Sequence, residues 1–449
     1  MATRRRRWVL GILLGLLGLV VVGVVAAYWY ARPLLLTGTG YAAHNACALA
    51  ELSGRSDPAT DLPPNPLVPY LRTSTGEDGS VTASVLGMLA RQTATPVEGF
   101  GCTITDPADL PARSPIDPAA NTLVAQPDRM DAGLQEAMAR AFGEDLEADE
   151  TAALGTRAVV VLSGGHVVGE RYADGFDDQT RQLGWSMAKS VANMLTGRLV
   201  EEGVVSLADT GLRPGWTDDR ADISIEDLLR MRSGLAWDET YDLGTPITEM
   251  LYLEGDMAGF AASQPLGHPI GQYQQYSSGS TNILCSVLLD RAEADAAITD
   301  DLLFAPLGLT SPVWETDETG LPVCGSYLWA TPRDWAALGQ LALDDGVWGG
   351  ERLLPDGWMQ ASTTAVTPAE SDADAYGMSW WLNARADGSL RFPQLPSDAY
   401  WMSGHDGQRV YVVPSADVVV VRMGFSPGVA AEDLRANELV AEVVDILAR

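Results

Sequence analysis

The run WVLGILLGLLGLVVVGVVAAYWYA, Trp8 to Ala31, constrains the chain more than any other stretch, because no charged residue interrupts it. A helix of this length crosses a hydrocarbon core of roughly 30 Å at about 1.5 Å per residue. Arg4, Arg5, Arg6 and Arg7 precede it and only Arg32 follows closely. Such an imbalance keeps residues 1–7 cytoplasmic and exports everything after 31. Tyr28, Trp29 and Tyr30 then fall at the far interface, where aromatic belts sit. The competing reading is a cleaved signal peptide. The apolar run is longer than a usual signal core and VVAAYWYA is a weak cleavage site, which favours an uncleaved single-pass anchor. Under both readings the body is extracytoplasmic.

The chain is acidic: 29 Lys+Arg stand against 60 Asp+Glu, a net charge of −31. That charge repels phosphate backbones, so nucleic acid is excluded as a partner. Four cysteines suit an oxidising compartment. Cys47 and Cys102 are expected to pair. Cys285, inside the apolar ILCSVLL, reads as a buried thiol, and its pairing with Cys324 stays open. The four histidines, His44, His166, His268 and His405, are scattered. No zinc spacing appears, and neither metal nor organic cofactor is expected.

Residues 32–125 form a juxtamembrane region rich in Pro, Gly and Asp, where loops should be frequent. VTASVLGMLARQ is a short helical candidate within it. The region reads as a small appended subdomain with no catalytic role. The body, residues 126–449, opens near Pro127 with a helical pattern on Met130, Leu134, Met138 and Phe142. TRAVVVLSGGHVVGERYADG predicts a β-hairpin turning at Ser-Gly-Gly-His. Ser224 and Asp227 form a capping box opening SIEDLLRMRSG. Strand character returns in YGMSWWLN, QRVYVVPS and ADVVVVRMG, the last apolar enough for a central strand. AEDLRANELVAEVVDIL closes the chain as an amphipathic helix. The fold class is therefore α+β: one sheet built from both ends of the chain, terminal helices, and an inserted all-helical lobe.

Within GWSMAKSVANML lies Lys189, the only lysine in the chain. Arginine stays protonated in proteins, whereas a lysine gives up its proton when its surroundings lower its pKa. Lys189 follows Ser186 by three residues. Met187, Val191, Met194, Leu195 and Leu199 recur at helical spacing, so both side chains share one face near a helix N-terminus. This describes an activated serine nucleophile. The competing reading is an N-capping serine followed by a surface lysine. Tyr276 and Ser278, in YQQYSSGSTNIL, lie where a polar turn enters an apolar helix. A tyrosine beside Lys189 would ionise more easily and share proton transfer; otherwise Ser277 or Ser278 caps that helix. In SGHDGQRVYVVPS, Gly404 and Gly407 bracket His405 before a strand. Glycines there let substrate approach the backbone, and an N–H there binds an oxyanion.

Ser-x-x-Lys, Tyr-x-Ser and His-x-Gly in this order resemble the motif set of the penicillin-recognising serine hydrolases. LLRMRSGLAWDE, YSSGSTNIL, ATPRDWAALGQL, LLPDGWM, YGMSWWLN and GHDGQRVYVVPSADVVVV resemble the class C β-lactamase-like branch. Within it they are most similar to the esterase and 6-aminohexanoate-dimer hydrolase group. The resemblance covers about residues 127–449. It implies a β-lactamase/transpeptidase-like fold with Ser186 as nucleophile and Lys189 as base. It further implies Tyr276 as proton relay and the N–H groups of Ser186 and Gln408 as the oxyanion hole. Ser278, His405 and Gly407 become substrate-binding positions. Histidine replaces the family's usual lysine at 405, and serine its usual asparagine at 278. Both departures favour small esters or amides over β-lactams or D-Ala-D-Ala peptides. No glutamate stands out as a separate deacylation base. The alternatives are a peptidoglycan DD-peptidase or penicillin-binding protein, and a non-catalytic acylated receptor signalling through the anchor. The substrate and the bilayer are the expected partners; the oligomeric state is left open.

Overall fold

The computed structural model describes residues 2–57, 61–104, 108–125, 130–366, 370–371 and 375–449. The boundary expected near residue 126, with Pro127, lies outside the described residues.

Seven strands form the central sheet. Their order is Trp381–Leu382, Tyr400–Ser403, Arg409–Val413, Val418–Gly424, Thr156–Ser163, His166–Tyr172 and Val124–Ala125. All neighbours are antiparallel except the last pair. Val418–Gly424 occupies the centre with every residue buried, as its apolar sequence predicts. The hairpin turns at Gly164 and Gly165, with φ of +58° and +75°. Of YGMSWWLN, only Trp381 and Leu382 are strand; Tyr376 makes an isolated antiparallel bridge to Trp381, and the chain bends at Met378 and Ser379.

Alternation along the strands divides the interior. Val159, Val161, Val418 and Val420 face the helices Ala132–Ala141 and Ala436–Leu447. Ala158, Val160, Leu162, Val419 and Val421 face the opposite layer, with Trp335, Leu338 and Leu341 of the helix Pro332–Leu343. A period of two makes both faces apolar in a strand buried on both sides. At Gly339 that helix lies so close to the sheet that a Cβ would stand 2.6 Å from Val419 Cγ1. The helical lobe follows Ser186, and its expected capping box forms: Ser224 Oγ accepts from Asp227 N–H at 3.1 Å, and Asp227 Oδ2 accepts from Ser224 N–H at 3.1 Å.

The N-terminal third departs most from expectation. The apolar run is part of one helix, Ala2–Ser53, which continues well past Ala31 and through Pro33. Residues 6–27 are exposed, whereas residues 37–49 are buried. Small residues explain the second half: a Cβ on Gly40 would lie 2.8 Å from Tyr252 Cβ. Tyr41 stacks on Tyr252 at 4.9 Å and meets Trp185 edge-on at 6.0 Å. Each such pair contributes about 1 kcal/mol beyond area burial. VTASVLGMLARQ is not helical. It supplies the strands Val81–Val85 and Leu89–Val97 of a four-stranded antiparallel sheet with Leu71–Thr75 and Gly101–Ile104. β-branched residues and a positive-φ Gly87 favour that outcome over a helix. The Cys47–Cys102 disulfide ties the long helix to this sheet.

Candidate active site

Three elements of distant sequence build the site. The first is the turn before the helix Met187–Glu201. Gly184 N–H donates to Leu328 O at 2.9 Å. A Cβ on Gly184 would meet Trp335 Cζ2 at 2.2 Å, and one on Gly404 would meet Gly184 O at 2.1 Å. Glycine at both positions therefore lets the serine turn and the loop after Tyr400–Ser403 touch backbone to backbone. Trp185 takes a left-handed φ of +48°. Such conformations persist where surrounding packing over-determines them. Ser186 then occupies the N-cap position, but its side chain caps nothing.

That hydroxyl instead accepts from Lys189 Nζ at 2.9 Å. Lys189 is 1% exposed and also donates to Ser278 Oγ at 2.7 Å and Gly325 O at 2.8 Å. Burial pulls the ammonium pKa down from its ordinary value to about 8, with the Glu239 carboxylate opposing the fall. The surface-lysine reading is therefore excluded.

The second element is the start of the helix Ser278–Ala292. Ser277 Oγ caps it by accepting from Ser280 N–H at 3.0 Å. Ser278, predicted to face substrate, is wholly buried and joins Lys189 to Glu239, donating its hydroxyl to Glu239 Oε1. Glu239 Oε2 accepts from Ser278 N–H at 2.8 Å and from Trp237 Nε1 at 2.6 Å. Lys189 Nζ and Glu239 Oε1 are 3.7 Å apart. Tyr276 hydrogen-bonds Ser186, and its ring centroid lies 4.8 Å from Lys189 Nζ. The expectation of an easily ionised tyrosine is corrected. Burial first, then the Glu239 charge, push the phenol well above its ordinary value, against the pull of the Ser186 hydrogen bond. Tyr276 is thus a neutral hydroxyl, and Lys189 is the group able to act as base near neutral pH.

The third element is the loop 404–408. Arg409 Nη1 donates to Gly404 O at 3.0 Å and Gln408 O at 2.7 Å. The Gln408 amide spans to Gly424, donating to its carbonyl at 2.6 Å and accepting from its N–H at 3.0 Å. These bonds hold rigid the segment expected to supply an oxyanion donor. Gly407, expected to let substrate approach, faces inward instead. Its φ is +96°, and a Cβ there would stand 2.3 Å from Arg422 Nη1, which donates to Gly407 O at 2.8 Å. His405 stacks on Tyr241 at 4.2 Å and meets Trp185 edge-on at 5.6 Å. Its side chain is 30% exposed, and burial of the remainder lowers the imidazole pKa, so the ring is neutral at pH 7.

Sequence reasoning missed Glu239, Gly325 and Arg409. Cys285 is not a thiol: it is bonded to Cys324, stapling the Ser278 helix to the loop that offers Gly325 O. Closing a loop of sequence separation 39 stabilises the fold by about 4 kcal/mol in the chain-entropy account. Asn282 Oδ1, from the same helix, accepts from Gly325 N–H at 2.9 Å and aims its carbonyl.

The chain is similar in sequence and fold to known proteins. The beta-lactamase family's sequence model matches residues 134–445. A 6-aminohexanoate-dimer hydrolase of Paenarthrobacter ureafaciens is 26% identical over 304 residues, covering 61% of this chain and 73% of that protein. The structure of a putative 6-aminohexanoate-dimer hydrolase from Bacillus anthracis superposes with a TM-score of 0.59 at 20% identity, covering 74% of this chain and 89% of that one. A penicillin-binding protein homolog from Caulobacter crescentus superposes with a TM-score of 0.54 at 18% identity, covering 71% and 99%. With a family match over most of its length and the fold to accompany it, the chain belongs to the beta-lactamase family, within the penicillin-recognising serine hydrolases.

Proposed function

We propose that this protein is a membrane-anchored serine hydrolase that cleaves a small ester or amide through an acyl-enzyme on Ser186. One observation carries the reading: a buried lysine with pKa about 8, donating to the hydroxyl of a serine at a helix start. In the neutral form Lys189 accepts the Ser186 proton as Oγ attacks the substrate carbonyl. The N–H groups of Ser186 and Gln408 receive the developing oxyanion. The proton on Lys189 passes to the leaving group by way of the Tyr276 hydroxyl, and the acyl bond is then hydrolysed by water with Lys189 again as base. The neutral His405, stacked on Tyr241, offers no fixed cation for a substrate carboxylate. Likeness to a hydrolase of 6-aminohexanoate dimer supports the same substrate class. The exposed apolar half of the helix Ala2–Ser53 supports the anchor, and the two disulfides support an oxidising compartment outside the cytoplasm.

The test is a pH profile of kcat/KM for p-nitrophenyl butyrate hydrolysis by the detergent-solubilised full chain. Because the free base is the active form, kcat/KM should rise with pH through about 8 and level above it. A flat or falling profile would contradict lysine as base. Durable labelling by a fluorescent penicillin without ester turnover would favour the peptidase alternative.

A further inference from the structure

A second feature of the N-terminal sheet points toward lipid, on the reading of the long helix as a membrane anchor. The turn joining Val81–Val85 to Leu89–Val97 is Leu86-Gly87-Met88, closed by Met88 N–H donating to Val85 O at 3.2 Å. Leu86 has a φ of +54° and Gly87 +79°. Hairpin turns with positive φ favour Asn, Asp and Gly. Here a leucine adopts that conformation, and its side chain is 56% exposed, with Met88 73% exposed. Leu89 and Tyr70, beside the same turn, are exposed as well. An apolar residue held in a disfavoured conformation and shown to solvent asks for a partner.

The position of the turn names the partner. Ala90 N–H donates to Tyr28 Oη at 3.2 Å, which fixes the turn beside the aromatic end of the apolar run. From Trp8 to Tyr28 the helix rises roughly 30 Å, the thickness of a hydrocarbon core, so Tyr28 lies at interface depth. The sheet is polarised to match. Arg72 and Arg91 flank the apolar end and are exposed, as befits neighbours of lipid phosphate, while Glu77, Asp78 and Glu98 lie at the opposite strand ends.

We propose that the Leu86–Leu89 turn inserts into the outer interface of the bilayer that holds the helix. It would give the catalytic body a second point of membrane contact and thereby a fixed orientation. A single helix would leave the body free to tilt; two contacts, joined through Tyr28 and Ala90, would not.

The test is photolabelling of the full chain in phosphatidylcholine nanodiscs with a phosphatidylcholine carrying a diazirine near the headgroup end of one acyl chain. Labelled peptides are mapped by mass spectrometry. Labelling is expected on the span and on Leu86–Leu89, the latter at least tenfold above residues 76–80. The double substitution Leu86→Asn with Met88→Ser, which suits the turn, should abolish the second signal and spare the first. Labelling of the span alone, or undiminished labelling in the double variant, would overturn the inference and leave the anchor standing. Labelling of neither would overturn the anchor reading itself.

Discussion

Turnover of an ester substrate should fall by at least about 10³-fold in Lys189→Arg, with the circular-dichroism spectrum of the full chain close to wild type and a melting temperature lowered by the crowded site. Every other basic side chain here, His aside, is arginine, so the chain tolerates that residue widely. It would fail at 189 because a guanidinium keeps its proton and cannot receive that of Ser186. The lysine is 1% exposed and bonded on three sides, which leaves little room for a longer side chain. Lys189→Met, close in volume, separates chemistry from packing: it should lose turnover to a similar degree while fitting the site. An arginine variant within tenfold of wild type would show that the lysine is not the base.

A second large effect is expected at Glu239. Glu239→Gln should lower kcat by about 10- to 100-fold and shift the alkaline rise in kcat/KM to lower pH. The direction follows from the charge balance: burial lowers the Lys189 pKa and the Glu239 carboxylate raises it. Removing the anion leaves burial unopposed, so the free base forms at lower pH. The amide also offers donors where Trp237 Nε1 and Ser278 N–H already donate, which disturbs the Ser278 bridge. A residue that served only packing would lower the rate without moving the midpoint. Titration of p-nitrophenyl butyrate hydrolysis from pH 5.5 to 9.5 in both proteins distinguishes the two. An unmoved midpoint would remove Glu239 from the proton-transfer network.

The sequence speaks most clearly where one local rule decides the outcome. Three residues between Ser186 and Lys189 put both on one helical face, and the structure brings their polar atoms to 2.9 Å. The valine run 418–421 could serve only as an interior strand, and it lies at the centre of the sheet. Glu239 had no such signature. It reaches Lys189 only through the packing of the lobe, and its clearest partner, the Trp237 indole two residues away, is itself common in loops without function.

Other misreadings share that cause. Tyr276 looked easily ionised beside a cation, but the cost of burying a phenolate depends on tertiary enclosure and reverses the sign. Gly407 looked like an open approach to substrate until Arg422, from a neighbouring strand, filled the space. Residues 37–49, with Thr37, Gly38, Thr39 and Gly40, have poor helix propensity, yet those same small side chains let the helix be buried on all sides. VTASVLGMLARQ is apolar at spacings that suit both a helix and a turn between two strands. Pairing with Leu71–Thr75 and Gly101–Ile104 decides for strands, and that pairing is not local.

The most direct test of the account is intact-mass analysis of the full chain in detergent after exposure to a fluorophosphonate, with Ser186→Ala beside it. One adduct is expected on the wild-type protein and none on Ser186→Ala, with p-nitrophenyl ester turnover lost in step with adduct formation. An adduct that persists in Ser186→Ala, or none on well-folded wild-type protein, would contradict the assignment of Ser186 as the nucleophile.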